Sequence, residues 1–210
     1  MMDKDHPVLV TGATGYVGGR LIPRLLTAGY RVRAMGRSLE KMAQRKWACH
    51  PGIELVRGDV QRKEDLVHAA HGCRAAYYLV HAMIARKGLF AEADRRAAEN
   101  MKAAAGQCGL DQIIYLSGLG EEQDPNLSHH LASRHEVGRI LQSGPVPVTI
   151  LRVTMILGSG SASFEIQRDC SVFCIGMGCI RSTFSYSREC SKQLPVRPEP
   201  PRPFEPIRFS

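Results

Sequence analysis

The stretch Val8-Leu9-Val10-Thr11-Gly12-Ala13-Thr14-Gly15-Tyr16-Val17-Gly18-Gly19 decides the fold. A short apolar, β-favouring run passes directly into a G-x-x-G-x-x-G turn, and the turn opens an amphipathic helix. Each glycine has a separate task there. Gly12 permits the tight turn out of the strand, Gly15 leaves room for a pyrophosphate to approach the backbone, and Gly18 allows the helix to pack closely on the sheet. The helix then presents its unpaired N-terminal N–H groups to the phosphates. Thr14, Tyr16 and Val17 complete the candidate cofactor-binding set at this turn. A glycine triplet alone is a weak signal; its position at the first strand-to-helix turn of an alternating chain gives it force. The competing reading is a purely structural glycine loop.

Outward from this turn, β-rich runs alternate with helical patterns. Strands are expected over Val8–Val10, Arg31–Met35, Ile53–Val56, Ala75–Val80, Gln112–Leu116 and Val148–Leu151. The first helix places Val17, Leu21, Leu25 and Leu26 on one stripe, contains Pro23, where a slight kink is expected, and is closed by Gly29. Further helices are expected over Ser38–Lys46, Arg62–Ala70, about Phe90–Gln107 and Ser128–Gln142. This alternation predicts an α/β fold, a Rossmann-type doubly wound parallel sheet, followed by an atypical or truncated C-terminal region.

The organisation changes near Gln167. Cys170, Cys174, Cys179 and Cys190 crowd the region beyond it, and PVRPEPPRPFEP holds half of the twelve prolines. Proline removes backbone donors and favours extended chain, so little regular structure is expected there beyond a short strand over Ile175–Ile180. The expected division is therefore residues 1–167 as the dinucleotide-binding domain and 168–210 as a divergent tail. That tail reads either as an alternative or out-of-frame ending or as a divergent segment that wraps over the cleft.

The net charge of +8 comes from cations scattered among acids, the pattern of a solvated surface, which argues against a nucleic-acid partner. No apolar run approaches the ~20 residues that cross a bilayer, and the start carries no secretory pattern, so no membrane partner and a cytoplasmic location are expected. No cysteines form a C-x-x-C pair, which points to free thiols and no metal site.

The end of the second strand selects the dinucleotide. NAD sites usually carry an acid there for the ribose 2′-hydroxyl, whereas NADP sites use an arginine for the 2′-phosphate. Here the chain reads Arg31-Val32-Arg33-Ala34-Met35-Gly36-Arg37-Ser38. Arg37 is the expected phosphate ligand, with Ser38 adding a hydroxyl while capping the next helix and Arg33 sharing the role. NADP is the expected cofactor and NAD the alternative; in the competing reading both arginines are simply solvated.

TGATGYVGGRLIPRLLTAGYRVRAMGRS, followed by LVRGDVQRKEDLVHAAHGCRAAYYLVHAM and AENMKAAAGQCGLDQIIYLSGLG, resembles the extended and atypical short-chain dehydrogenase/reductases, in particular the NmrA-like NAD(P)H-binding branch. The similarity runs to about Phe164 or Glu165. It implies that Asp59 and Val60 contact the adenine, that Val80 and His81 pass beside the cofactor's ribose with His81 toward the nicotinamide, and that Asn100 holds backbone or water structure. It also implies a catalytic serine after the fifth strand and a Tyr-x-x-x-Lys pair on the following helix. Laid on that pattern, His130 stands at the tyrosine and Arg134 at the lysine, with the neighbouring His129 leaving the first assignment ambiguous and a surface role at the helix start as the competing reading. Ser117 is the serine candidate, although the family's serine falls equally on Gly118. The two functions implied are an NAD(P)H-dependent oxidoreductase acting on a small molecule and a non-catalytic dinucleotide sensor or assembly factor acting through a partner protein; the oligomeric state is left open.

Overall fold

The structure is a computed structural model that describes residues 5–81, 90–120 and 128–153. Six strands, β1 (Val8–Thr11), β2 (Val32–Gly36), β3 (Ile53–Arg57), β4 (Ala75–Tyr78), β5 (Gln112–Gly118) and β6 (Val148–Val153), form one sheet in the order β3-β2-β1-β4-β5-β6. Every pairing is parallel. Parallel neighbours require crossovers, and five helices supply them: α1 (Tyr16–Thr27), α2 (Leu39–Ala43), α3 (Lys63–Ala70), α4 (Phe90–Cys108) and α5 (His129–Gln142). This is the doubly wound Rossmann order, and its winding reverses between β1 and β4.

Side-chain alternation along each strand divides the core in two. Leu9, Met35, Val56, Ala76, Tyr78, Ile113 and Tyr115 face a larger cluster with residues of α3, α4 and α5, including Leu66, Met101 and Leu141. Val10, Val32 and Ala34 face a smaller one with Ile22, Leu26, Met42, Trp47 and the loop residue Ala13.

All six expected strands and five expected helices form, with ends shifted by a few residues. The expected helix over Ser38–Lys46 is confined to Leu39–Ala43. Helix α1 runs continuously through Pro23, and its buried stripe is Gly18, Ile22 and Leu26. This stripe lies about a residue from the expected one, and Leu21 and Leu25 are only half-buried. Gly29, at φ +83°, ends the helix as expected. Its N–H bonds Leu26 O at 2.9 Å and Tyr30 N–H bonds Leu25 O at 3.0 Å, the paired bonds of a Schellman motif. The boundary at 167/168 and the strand expected over 175–180 lie outside the described residues. Among the described residues, no helix is long and apolar enough to cross a membrane.

Candidate dinucleotide site and adjoining polar cluster

Because all strands run the same way, their C-terminal ends share one edge, and the winding reversal opens a crevice there between the β1 and β4 ends. Thr11, fully buried at the end of β1, ties its two sides together. Its hydroxyl donates to Tyr77 O at 3.1 Å and accepts the Leu79 N–H at 3.2 Å. Sequence reasoning gave Thr11 no role; its only signal was a polar residue at the end of an apolar strand.

The glycine loop follows. Gly12 adopts φ +70°, and a Cβ there would stand 3.1 Å from Leu79 O and 3.3 Å from Val80 Cγ2. Val80 therefore packs against the loop. Gly15 is the N-cap of α1 and is exposed; no side chain caps this helix start, and its first turn carries no acid. Gly18 is the closest contact of the three. A Cβ on it would lie 2.5 Å from Gly12 O and 3.0 Å from Ala13 Cα. Tyr16 is covered by Arg20, whose guanidinium carbon sits 3.7 Å above the ring centre. Thr14 offers its carbonyl to Arg45 Nη2 at 2.7 Å. An uncapped helix start, an exposed glycine and a positive local dipole are what a pyrophosphate requires, so the residues present fit a dinucleotide.

Arg37 is exposed immediately beyond β2, and Ser38 caps α2 by accepting the Lys41 N–H at 3.2 Å, as expected. Arg33 stands elsewhere. Strand alternation turns it onto the α3 face, where its Nη1 donates to Ala69 O at 3.0 Å and to His71 O at 2.5 Å, and its Nε pairs with Glu54 at 2.7 Å. These bonds hold the guanidinium at the end of α3.

Asp59 and Val60 are half-buried in the turn after β3. Asp59 Oδ1 accepts the Gln61 N–H at 3.0 Å, while Asp65 accepts the Asp59 N–H at 2.9 Å. Asn100 donates to Val60 O at 3.0 Å, the backbone-holding role expected of it, and Gln61 adds a bond to Ala93 O at 2.9 Å. The turn is thus fixed to α4 on one side and α3 on the other.

Three of the remaining candidates, His81, His130 and Arg134, form a polar cluster. His81, just beyond β4, lies 3.1 Å from Arg134 Nη2 through its Nε2. A guanidinium only donates, so His81 Nε2 must be the unprotonated acceptor and the ring a neutral Nδ1–H tautomer. Burial, the Arg134 cation and then His130 push the His81 imidazole down to about 4. His130 meets His81 edge to face, with ring centres 5.9 Å apart. It is largely exposed, but the covered side of its ring and then Arg134 also hold it below its ordinary value, against a small opposing pull from Asp94. Both imidazoles are therefore biased toward the neutral form, which works against His130 as an imidazolium proton donor near neutral pH. Among the described residues, Arg134 Nε is buried without a hydrogen-bond partner. Its backbone carbonyl accepts from Tyr115 Oη at 3.1 Å, which anchors this turn of α5 on β5.

Ser117 lies within β5 rather than after it and is 2% exposed. The alternation that buries Ile113 and Tyr115 also turns Ser117 inward, where it lines a small cavity with His135, Gly138 and Ile150. The position next to the Arg134 side chain is Gly118: a Cβ there would meet Leu131 Cδ2 and stand 3.7 Å from Arg134 Cδ. The strand thus places its serine away from the Arg134 side chain, because the inward serine is one residue early and the adjacent position is glycine.

A family model described as NAD(P)H-binding matches residues 12–169, more than half of the chain. The 2-alkyl-3-oxoalkanoate reductase of Shewanella oneidensis is 27% identical over 127 residues, covering 60% of this chain and 30% of that protein. The photosystem II assembly factor Ycf39 of Cyanophora paradoxa is 29% identical over 121 residues, covering 55% and 35%. The chain thus spans about a third of the length of these curated relatives. Among solved structures, the Bordetella bronchiseptica enzyme WbmG in complex with NAD and UDP superposes with a TM-score of 0.64 at 16% identity, over 83% of this chain and 61% of that one. At that identity the likeness carries the fold.

Proposed function

The chain belongs to the NAD(P)H-binding family, and from that premise we propose that it is the cofactor domain of an NADP(H)-preferring reductase acting on a small carbonyl compound. The observation that carries this reading is the adjacency of an uncapped glycine-loop helix start and an exposed Arg37, with no acid in the Gly36-Arg37-Ser38 stretch that ends β2. The glycine loop would hold the pyrophosphate, Arg37 and Ser38 the 2′-phosphate, and Asp59 and Val60 the adenine. Val80 and His81 would line the nicotinamide end. The cofactor supplies the hydride; the protein supplies orientation and charge. Arg134, whose Nε is buried and has no partner among the described residues, is the group best suited to hold a carbonyl or carboxylate oxygen.

Anaerobic titration with NADPH, NADH and their oxidised forms, followed by a carbonyl screen, tests the reading. NADPH should bind more tightly, and Arg37→Ala should remove about 1–3 kcal/mol of the preference, the usual worth of a hydrogen bond to a charged group. Equal affinities in the unmutated protein would refute it.

A second reading, a dinucleotide-sensing or assembly protein without turnover, is favoured by the His130 and Arg134 pair. Neither residue repeats the tyrosine–lysine chemistry, and the neutral bias of His130 weakens its claim as an acid. The similarity to an assembly factor points the same way. Tight NADPH binding with no turnover across the screen selects this second reading.

A further inference from the structure

Arg45, two residues beyond α2, is placed by a chain of contacts that begins on β2. Met42 is fully buried and packs on Gly36, where a Cβ would lie 3.1 Å from its Sδ. Arg45 N–H then bonds Met42 O at 3.0 Å. From this anchored position Arg45 Nη2 reaches across to Thr14 O at 2.7 Å. Its guanidinium therefore spans the gap between the glycine loop and the segment beyond β2, the segment that begins with the exposed Arg37. The loop itself is drawn to the β2 end by the Ala13 N–H bond to Met35 O at 3.5 Å.

Only one of the five guanidinium N–H groups is needed for the Thr14 bond, and Arg45 is exposed. Among the described residues no carboxylate pairs with Arg45 or with Arg37. An exposed arginine ordinarily loses side-chain entropy when it binds an anion, but here the Thr14 carbonyl already restricts the rotamer. Two guanidinium groups without a carboxylate partner among the described residues, one just beyond β2 and one braced on the loop, suit a dianionic phosphate and add little for a bare ribose hydroxyl.

We propose that Arg45 is a second selector for the cofactor's 2′-phosphate, held in place by the Thr14 carbonyl and acting with Arg37. The proposal deepens the NADP(H) reading above and rests on it. It also separates two roles that the Thr14 bond alone would merge. A brace for the glycine loop serves both dinucleotides, whereas a phosphate ligand serves only the phosphorylated one.

The test is equilibrium titration of the full chain and its Arg45→Ala, Arg45→Lys and Arg37→Ala variants with NADPH and with NADH. Arg45→Ala should weaken NADPH about tenfold and NADH less than about twofold, the scale of a partly exposed charged contact. Arg45→Lys should recover part of the NADPH loss, since it restores the charge without the fork. Equal losses for both cofactors, or no loss for either, would overturn the proposal. If the unmutated chain prefers NADPH and Arg45→Ala keeps the full preference, the Arg45 assignment alone is lost. If the unmutated chain shows no preference, the reading beneath it is lost as well.

Discussion

Gly18 and Gly19 are neighbours in the same helix, and the structure predicts opposite outcomes when each becomes alanine. At Gly19 a new Cβ would find its nearest atom, Ala13 O, at 3.9 Å, an ordinary contact. Gly19→Ala should therefore show the plain helix-propensity gain of about 0.5–1 kcal/mol. At Gly18 the Cβ would lie 2.5 Å from Gly12 O and 3.0 Å from Ala13 Cα. Both are backbone atoms and cannot swing aside as a side-chain end would, so either α1 or the loop must shift. Overpacking of this kind costs about 1–3 kcal/mol, enough to cancel or exceed the propensity gain. The two variants should thus differ by about 2 kcal/mol, or roughly 4–8 °C in melting temperature for a chain of this size. Because the displaced atoms belong to the phosphate loop, Gly18→Ala should also weaken NADPH by about tenfold, equivalent to ~1.4 kcal/mol. Urea unfolding gives the first quantity and cofactor titration the second. Equal stability and equal affinity in the two variants would show that the close approach of α1 to the loop does not govern either property.

Gly15→Val should leave the far-UV circular dichroism unchanged, since Gly15 is exposed with φ −70°, ψ 172°, but should abolish dinucleotide binding. Unchanged affinity would make the loop structural only. Thr11→Val should destabilise the fold by about 1–3 kcal/mol in denaturant titration, because an isosteric methyl leaves the Leu79 N–H and Tyr77 O without their partner. The fall of His81 from an ordinary 6.5 to about 4 fixes a pH dependence. Between those values the unfolded chain takes up a proton that the folded ring excludes, so stability is retained above pH 6.5 and lost as pH falls toward 4, by roughly 3 kcal/mol in all. His81→Gln should flatten that part of the stability curve, and an unchanged slope would count against the neutral His81–Arg134 pair.

The sequence made the element order and the glycine loop readable because both are local signals. Strand-to-helix turns, helix ends such as Gly29 and caps such as Ser38 depend on neighbouring residues, and each formed as expected. The phase of α1 was harder. Its apolar residues permit more than one stripe, and the choice of Gly18, Ile22 and Leu26 follows from the contact of Gly18 with a loop outside the helix. The surroundings of Arg33 are illegible for a related reason: its acceptors lie at the distant end of α3, and a strand pattern alone does not reveal which arginine will find carbonyl partners. His81 and Arg134 are each candidates in the sequence, but only the adjacency of β4 and β5 brings them to 3.1 Å. The tautomer and depressed basicity that follow from this contact have no sequence signature.

The two-sided core also equips the protein with its own optical reporter. Trp47 is the single tryptophan of the chain, and it lies 7% exposed in the smaller cluster with Ala13, Ile22 and Met42. Its emission therefore senses the face that carries the nucleotide loop, whereas the backbone signal is weighted by the longer helices on the other face. If the faces open separately on denaturation, the tryptophan transition should precede the loss of ellipticity; if they form one cooperative unit, the two curves coincide. Fluorescence can thus follow the loop-bearing layer in every variant above without an added label.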